Sequence, residues 1–291
     1  MMAPAGLGAV VRTSQVGALA SPTTTNVIIN GVTPQPPVYL VPQDIPGLKL
    51  WLDPTNVLTI TSNASSNVLG LANRIIGSST GATAVTSSVY PSYVASAYNS
   101  LPAVLFPTGA RMGTSLRLTS PSRCYLAVLT TPADAAATNK ETPFFGDDTD
   151  RGLNMSFCAY DHPNGVEYYI PASFRQTETG GATGNYPRPN YNSTPWMLSI
   201  HSTTSTGSGL YFNGNVNRTT LSNTTFATGS YTDYMGSLNT NYNPFTLHEY
   251  LIYDANITAG QRQRAEGYLA WKWGIQSTLP ANHPFKLNAP V

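Results

Sequence analysis

Hydrolysis of a glycosidic bond needs two carboxyl groups, one held protonated as the acid and one acting as nucleophile or base. No strand-like segment of this sequence carries such a pair. Glu167 stands alone in VEYYIP, and Glu249 and Asp254 are placed on opposite faces of a regular strand by the odd spacing between them. Glu249 therefore reads as a structural residue where a strand meets a helix. A Ser-His-Asp triad has no G-x-S-x-G motif to build on, and His162, His201, His248 and His283 sit in unrelated contexts. They read as surface or hydrogen-bonded structural histidines. Asp147, Asp148 and Asp150 in FFGDDTDRG form the single acidic cluster, and oxygen ligands of this kind suit calcium. Their spacing is not that of an EF-hand and Arg151 can offset their charge, so an ordinary solvated turn is the simpler expectation. No catalytic residue, cofactor or firm metal site is expected. Tyr186, Tyr191 and Trp196 cluster in GNYPRPNYNSTPW, a polar loop. Their rings could stack on sugars, form a protein contact patch, or pack on the loop's own prolines. Cys124 and Cys158 lie in apolar, strand-like segments and read as buried thiols; whether they are bonded is open.

The elements that hold these residues are shaped by an unusual composition. Charged residues make up only 10% of the 291-residue chain, well below the roughly 25% of an average soluble domain. Ser, Thr, Asn, Gly, Pro and 17 tyrosines take their place. Thr and Tyr favour pleated surfaces, and Gly, Asn and Pro favour turns, so strands rather than long helices are expected. The net charge of +1 comes with no basic stripe, which argues against nucleic acid as a partner. No apolar run reaches the length of a membrane-spanning helix, and the N-terminus lacks the cationic and apolar regions of a secretory signal.

Two regions are expected. Residues 1–44 read as an extended, Pro-rich arm, with TPQPPVYLVPQDIPG near its end, unable to bury a core of its own. Its apolar residues, Val38, Tyr39 and Leu40 among them, are candidates for contact with other chains. Residues 45–291 read as the folded domain. It opens on GLKLWLD, where Leu48, Leu50 and Leu52 alternate as in a half-buried strand. Residues 54–100 read as turns and short edge strands. CYLAVL is a strongly apolar strand, and TPFFG, GLNMSFCAY, VEYYIP, WMLSIHSTT, YTDYMGSL and FTLHEYLIY are further strands. LYFNGNV is a hairpin, its Asn213-Gly214 pair suited to a type I′ turn. The total is about ten to thirteen strands without βαβ alternation, which predicts an antiparallel sandwich or barrel. One helix is signalled over 258–274, with Thr258 and Gln261 as a capping box and Gly274 as its stop. Ala265, Leu269 and Trp273 form its buried stripe, leaving Arg262, Arg264 and Glu266 to water.

The run HEYLIYDANITAGQRQRAEGYLAWKWGI resembles the closing segment of LamG-like, concanavalin-A-like domains. The matching residues are Glu249, Tyr253, Asp254, Tyr268, Leu269, Ala270, Lys272, Trp273 and Gly274. PGLKLWLDP is similar to the family's first strand, and LYFNGNV to its penultimate hairpin. The resemblance implies an all-β, concanavalin-A-like jelly-roll sandwich with one C-terminal helix, over roughly residues 46–286. The tail STLPANHPFKLNAP resembles endings of structural proteins of large DNA viruses and phages. That implies a non-enzymatic virion protein, a minor capsid, decoration or appendage component, whose partners are other virion proteins or copies of itself. The alternative is a carbohydrate-binding, lectin-like module with a glycan as partner, since one fold hosts many functions.

Overall fold

The computed structural model describes residues 41–85, 88–130, 141–147, 153–162, 165–169, 172–174, 194–203, 207–221, 229–236 and 244–291, with only the backbone described at 115 and within 141–174, 202–208, 210, 217–221 and 229–233. The chain divides into two units, Met1–Val38 and Tyr39–Val291, and the described residues all lie in the second. Val38, Tyr39 and Leu40 are outside them. Residues 42–44, assigned to the arm from sequence, form a short 3-10 turn with Pro42 buried. The Tyr253 hydroxyl donates to the Pro42 carbonyl at 3.2 Å, so these residues already belong to the packed domain.

The domain is a sandwich of two antiparallel sheets closed by one helix. Sheet A contains β1 (Leu48–Leu52), β5 (Ser92–Tyr98), β6 (Leu101–Phe106), β8 (Cys124–Thr130), β13 (Trp196–Thr203), β14 (Gly207–Phe212), β15 (Asn215–Leu221) and β17 (Phe245–Tyr253). Their order is β15-β14-β13-β8-β17-β6-β5, with β1 also paired to β17. Sheet B contains β2 (Ile60–Ser62), β3 (Val68–Ala72), β4 (Gly81–Ala84), β7 (Arg111–Leu118), β9 (Glu141–Asp147), β10 (Leu153–His162), β11 (Gly165–Tyr169), β12 (Ala172–Phe174) and β16 (Gly229–Gly236). Their order is β11-β10-β9-β16-β7-β4-β3-β2, with β12 on β10. The described strands number seventeen, more than the expected ten to thirteen. The excess comes partly from short polar strands such as β4, GATA, which sequence alternation alone cannot separate from turns.

Two cores flank sheet A, because successive strand residues point to opposite faces. On one side Tyr125, Ala127 and Leu129 of β8 join Leu50, Leu71, Met112, Met235 and Tyr250 between the sheets. On the other, Cys124, Leu126 and Val128 meet Trp51, Leu269 and Trp273 beneath the helix. Hence β1 is not the half-buried strand its alternating leucines suggested: Trp51, on its other face, is 1% exposed. The AsnGly hairpin is as expected, with φ of 48° at Asn213 and 74° at Gly214.

Helix α1 spans Ala259–Lys272, and both arms of the Thr258–Gln261 capping box are made. Gly274, at φ 68°, turns the chain out of it. One expectation is corrected here. Arg262 and Glu266 do not remain in water; Arg262 is 5% exposed and Glu266 fully buried. The reason is the C-terminal tail, which folds back over the helix's outer side. Phe285 lies on Gly267, where an added Cβ would come within 2.6 Å of it, and Trp271 Nε1 donates to the Phe285 carbonyl at 2.8 Å. Beneath the tail Glu266 pairs with Arg262 and His283, and the Arg262 guanidinium stacks 3.6 Å from the Tyr211 ring centroid.

Candidate functional site

Sheet A has no free face over its centre, so an extended ligand surface must be sought on sheet B. In its strands the residues between core positions point outward. Leu71, Ala82, Met112 and Met235 face the inter-sheet core. Gly70, Ala72, Gly81, Thr83, Gly113 and Tyr234 therefore face away from it. They line a groove of about 730 Å³, open to solvent and completed by Thr61, Ser78, Ser79, Thr80 and Val85. None of the lining residues carries a formal charge. The floor is low where glycines replace side chains. A Cβ at Gly81 would sit 2.6 Å from the Leu71 carbonyl oxygen, and one at Gly113 would sit 3.0 Å from the Tyr234 ring. Tyr234 forms the wall. The Arg111 guanidinium carbon lies 3.9 Å from its ring centroid, which holds the ring in place. At the rim, Asn73 Nδ2 donates to the Ser78 and Thr80 hydroxyls at 3.1 and 3.0 Å, and the two hydroxyls bond each other at 2.7 Å, which fixes this edge of the groove.

A second concentration of polar groups lies in the core beneath the helix. Glu249 is fully buried. Its Oε1 accepts from Trp51 Nε1 at 2.7 Å and from the Tyr268 hydroxyl at 2.9 Å, and its Oε2 accepts from Trp273 Nε1 at 2.9 Å. Lys272 Nζ, at the last turn of α1, is 2.8 Å from Glu249 Oε2 and 2.8 Å from Asp53 Oδ1. Asp53 Oδ2 also takes Arg74. Burial pushes the Glu249 carboxyl above the ordinary range, with Lys272 opposing. Burial pushes Asp53 up as well, but Lys272, Thr55 and Arg74 outweigh it and hold Asp53 low. The structural place expected for Glu249 comes with partners that its neighbours in sequence do not announce. The signal was present, since charged residues inside apolar runs are rarely buried unless paired; the partners are far apart in the chain.

The candidate residues named from sequence are distributed differently. Trp196 is not part of an exposed aromatic loop. It opens β13, is 2% exposed, and packs in the inter-sheet core with Phe212, ring centroids 5.8 Å apart. The strand pattern of WMLSI carries its ring inward, which removes it as a contact residue. Tyr186, Tyr191, Asp148 and Asp150 lie outside the described residues, and Asp147 closes β9 with its backbone paired to Asp233. Among the described residues no group of three His, Cys, Asp or Glu is arranged to hold a metal ion. Among them also, no helix is long and apolar enough to cross a membrane. Cys124 is a free, buried thiol whose pKa burial drives far up, so it is chemically quiet.

No family model and no curated protein matches this chain. Solved structures do. The binding domain of botulinum neurotoxin serotype D aligns over 77% of this chain and 51% of its own, at 11% identity and TM-score 0.50. The receptor-binding domain of botulinum neurotoxin mosaic serotype C/D aligns over 76% and 50%, at 11% identity and TM-score 0.50. Domain 4 of AbnA, an extracellular arabinanase from Geobacillus stearothermophilus solved in complex with arabinotriose, aligns over 74% and 95%, at 14% identity and TM-score 0.46. The chain spans about half the length of the neurotoxin domains it matches. At such identities the likeness to the neurotoxin domains shows a shared β-sandwich fold and nothing of function.

Proposed function

We propose that this domain is a non-catalytic, lectin-like binding module that takes a neutral glycan along the outer face of sheet B. The observation that carries this is the open, uncharged groove with a glycine floor, a tyrosine wall and hydroxyl-bearing rims. A sugar ring offers C–H faces to Ala72, Val85 and Tyr234 and hydroxyls to Thr61, Ser79 and Thr83. No lining residue is charged, and the Arg111 guanidinium beside the wall is engaged with the Tyr234 ring. That two structural neighbours are by name binding domains, one of them receptor-binding, supports a binding role. The absence of catalysis is part of the proposal: Asp53 and Glu249 are sealed in a core on the far side of sheet A from the groove. The expectation of a virion assembly role rested on low charge, on the arm of residues 1–44, of which 1–40 lie outside the described residues, and on the tail resemblance; the lectin alternative rested on the fold and on the aromatic loop with Tyr186 and Tyr191, also outside them, whereas the glycan reading of the groove stands on described side chains.

The test is titration of the full chain with a panel of neutral oligosaccharides, followed by NMR and calorimetry. Binding in the micromolar to millimolar range with shifts confined to the groove is expected. Tyr234→Ala should weaken it about tenfold or more, roughly 1.4 kcal/mol, and Thr83→Trp should block it, both with an unchanged melting temperature. Binding unaffected by either variant, or none at millimolar sugar, overturns the proposal. Release of reducing sugar that is lost in Glu249→Gln would overturn the non-catalytic part.

A further inference from the structure

The outer face of sheet B carries a row of residues that crosses its strands. Thr61 of β2 pairs with Gly70 of β3, Gly70 with Thr83 of β4, Thr83 with Gly113 of β7, and Gly113 with Tyr234 of β16. All five line the groove. Directly paired residues on neighbouring strands share a face, so the groove runs across the strands rather than along one. Hydroxyl-bearing residues and glycines alternate in it. Strands lie about 4.8 Å apart, which makes the row about 19 Å long and sets Thr61 and Thr83 about 10 Å apart. The two glycines have different causes. A Cβ at Gly113 would come within 3.0 Å of Tyr234 Cε1 and 3.3 Å of its Cδ1, so glycine lets that ring lie over the row. A Cβ at Gly70 would meet nothing nearer than 3.6 Å. The neighbouring bulge in β3 places its extra residue at Leu69, and φ is positive at neither Leu69 nor Gly70. The fold therefore does not require glycine at 70, although glycine inside a strand weakens it. What it leaves is a gap between two threonines, of the kind found where a ligand approaches the backbone closely.

We infer that the groove takes an extended, unbranched glycan of the cellulose, mannan or xylan type, laid across the strands over this row. The inference rests on the glycan reading of the groove and names the class of chain. In such chains both linkages of each ring are equatorial, at opposite corners, which keeps the chain straight and turns each sugar over relative to the last. Each sugar advances by about one strand spacing, and equivalent hydroxyls return to the same side at every second sugar, about 10 Å on. That matches the separation of Thr61 and Thr83. One sugar packs its C–H face on Tyr234, whose ring Arg111 holds in place. The sugars beyond it pass over Thr83, Gly70 and Thr61, and alternate ones exchange hydrogen bonds with the two threonine hydroxyls. The sugar between them settles into the gap at Gly70. About four sugars fill the row from end to end. A chain with an axial linkage coils and leaves the row after one or two contacts. A branch directed at the sheet would meet the glycine floor, where no room remains beneath the main chain.

Calorimetric titration of the full chain with cellohexaose, mannohexaose, xylohexaose and the axially linked maltohexaose tests this. At least one of the first three should bind about tenfold or more tighter than maltohexaose. Within that series affinity should climb from disaccharide to tetrasaccharide and then level off. Gly70→Val fills the gap with a residue that strands accept readily, and it should weaken the hexasaccharide by about tenfold or more. Maltohexaose binding as well as the straight chains, affinity independent of chain length, or a folded Gly70→Val variant that binds like the wild type overturns this inference and leaves the glycan reading in place. No binding of any neutral oligosaccharide overturns both. The wild-type series decides the matter even if the variant fails to fold.

Discussion

Individual side chains in this domain are constrained more by what they would leave behind than by what they add. Removing Glu249 strands the indole N–H groups of Trp51 and Trp273, the Tyr268 hydroxyl and Lys272 in a dry core. Breaking one member of a buried charge cluster costs about 3–5 kcal/mol, so Glu249→Ala should lower stability by that order in urea unfolding. His248 makes a second prediction. It is 1% exposed, bonded to the Thr130 hydroxyl at 2.7 Å and packed on Trp273. Burial lowers its pKa from 6.5 to about 3, and burial lowers that of His201 too, against a bond to the Ile257 carbonyl. Between these pH values the unfolded chain binds the proton and the folded chain does not. The His248 contribution is therefore full above pH 6.5 and is lost as pH falls toward 3, by up to about 1.4 kcal/mol per pH unit, and His201 acts in the same direction. Unfolding curves measured across that window should show this slope, and His248→Gln should remove one histidine's share. The sequence reading of the histidines as surface or hydrogen-bonded residues fits the bonds that His201, His248 and His283 make. The partners of Glu249 were not legible in the sequence, because Trp51 and Tyr268 reach it from 198 and 19 residues away.

At the scale of elements, helix α1 shows how local and distant signals divide. Its start and stop were readable because capping is local chemistry: Thr258 Oγ1 accepts from Gln261 N–H at 3.2 Å, and Gln261 Oε1 accepts from Thr258 N–H at 2.7 Å. Thr258→Ala should cost about 1 kcal/mol. Gly274→Ala should cost more, because its φ of 68° disfavours a side chain and the new Cβ would meet Asn99 Nδ2 at 2.3 Å. The order of the two effects can be checked by thermal melting. The helix's outer face was misread, since its polar stripe says only that the residues are charged. Whether charge meets water or a folded-back tail depends on residues 276–291.

For the whole molecule, the chain passes repeatedly between sheets, so that the central pair β8–β17 joins segments more than a hundred residues apart. Long-range pairing of this kind predicts slow folding, on the millisecond-to-second scale or slower, measurable by stopped-flow refolding. The tail seals the Arg262–Glu266–His283 cluster, with Gly214 of the hairpin turn close to His283. A chain ending after residue 275 should therefore melt at lower temperature and expose Arg262 and Glu266 to solvent. Tyr234→Ala, on the open face, should change binding and leave the melting temperature alone.

The sequence by itself determined the class of fold: low charge, turn residues at regular spacing, apolar alternation and one capped helix all act over a few residues, and each is written locally. It also determined the hairpin, because positive φ at Asn213 and Gly214 is a property of those two residues. Which face of each strand met water was decided only by the tertiary structure. Trp51 and Trp196 look alike in sequence as aromatics beside polar turns, yet one closes the core under the helix and the other the core between the sheets. The groove exists because β2, β3, β4, β7 and β16 bring mostly small residues from five separate segments onto one face that no described element covers. The Asp53–Lys272–Glu249 cluster exists because β1, β17 and α1 converge beneath a single lid of indole rings. Burial and proximity are collective properties of the packed chain, and no local pattern encodes them.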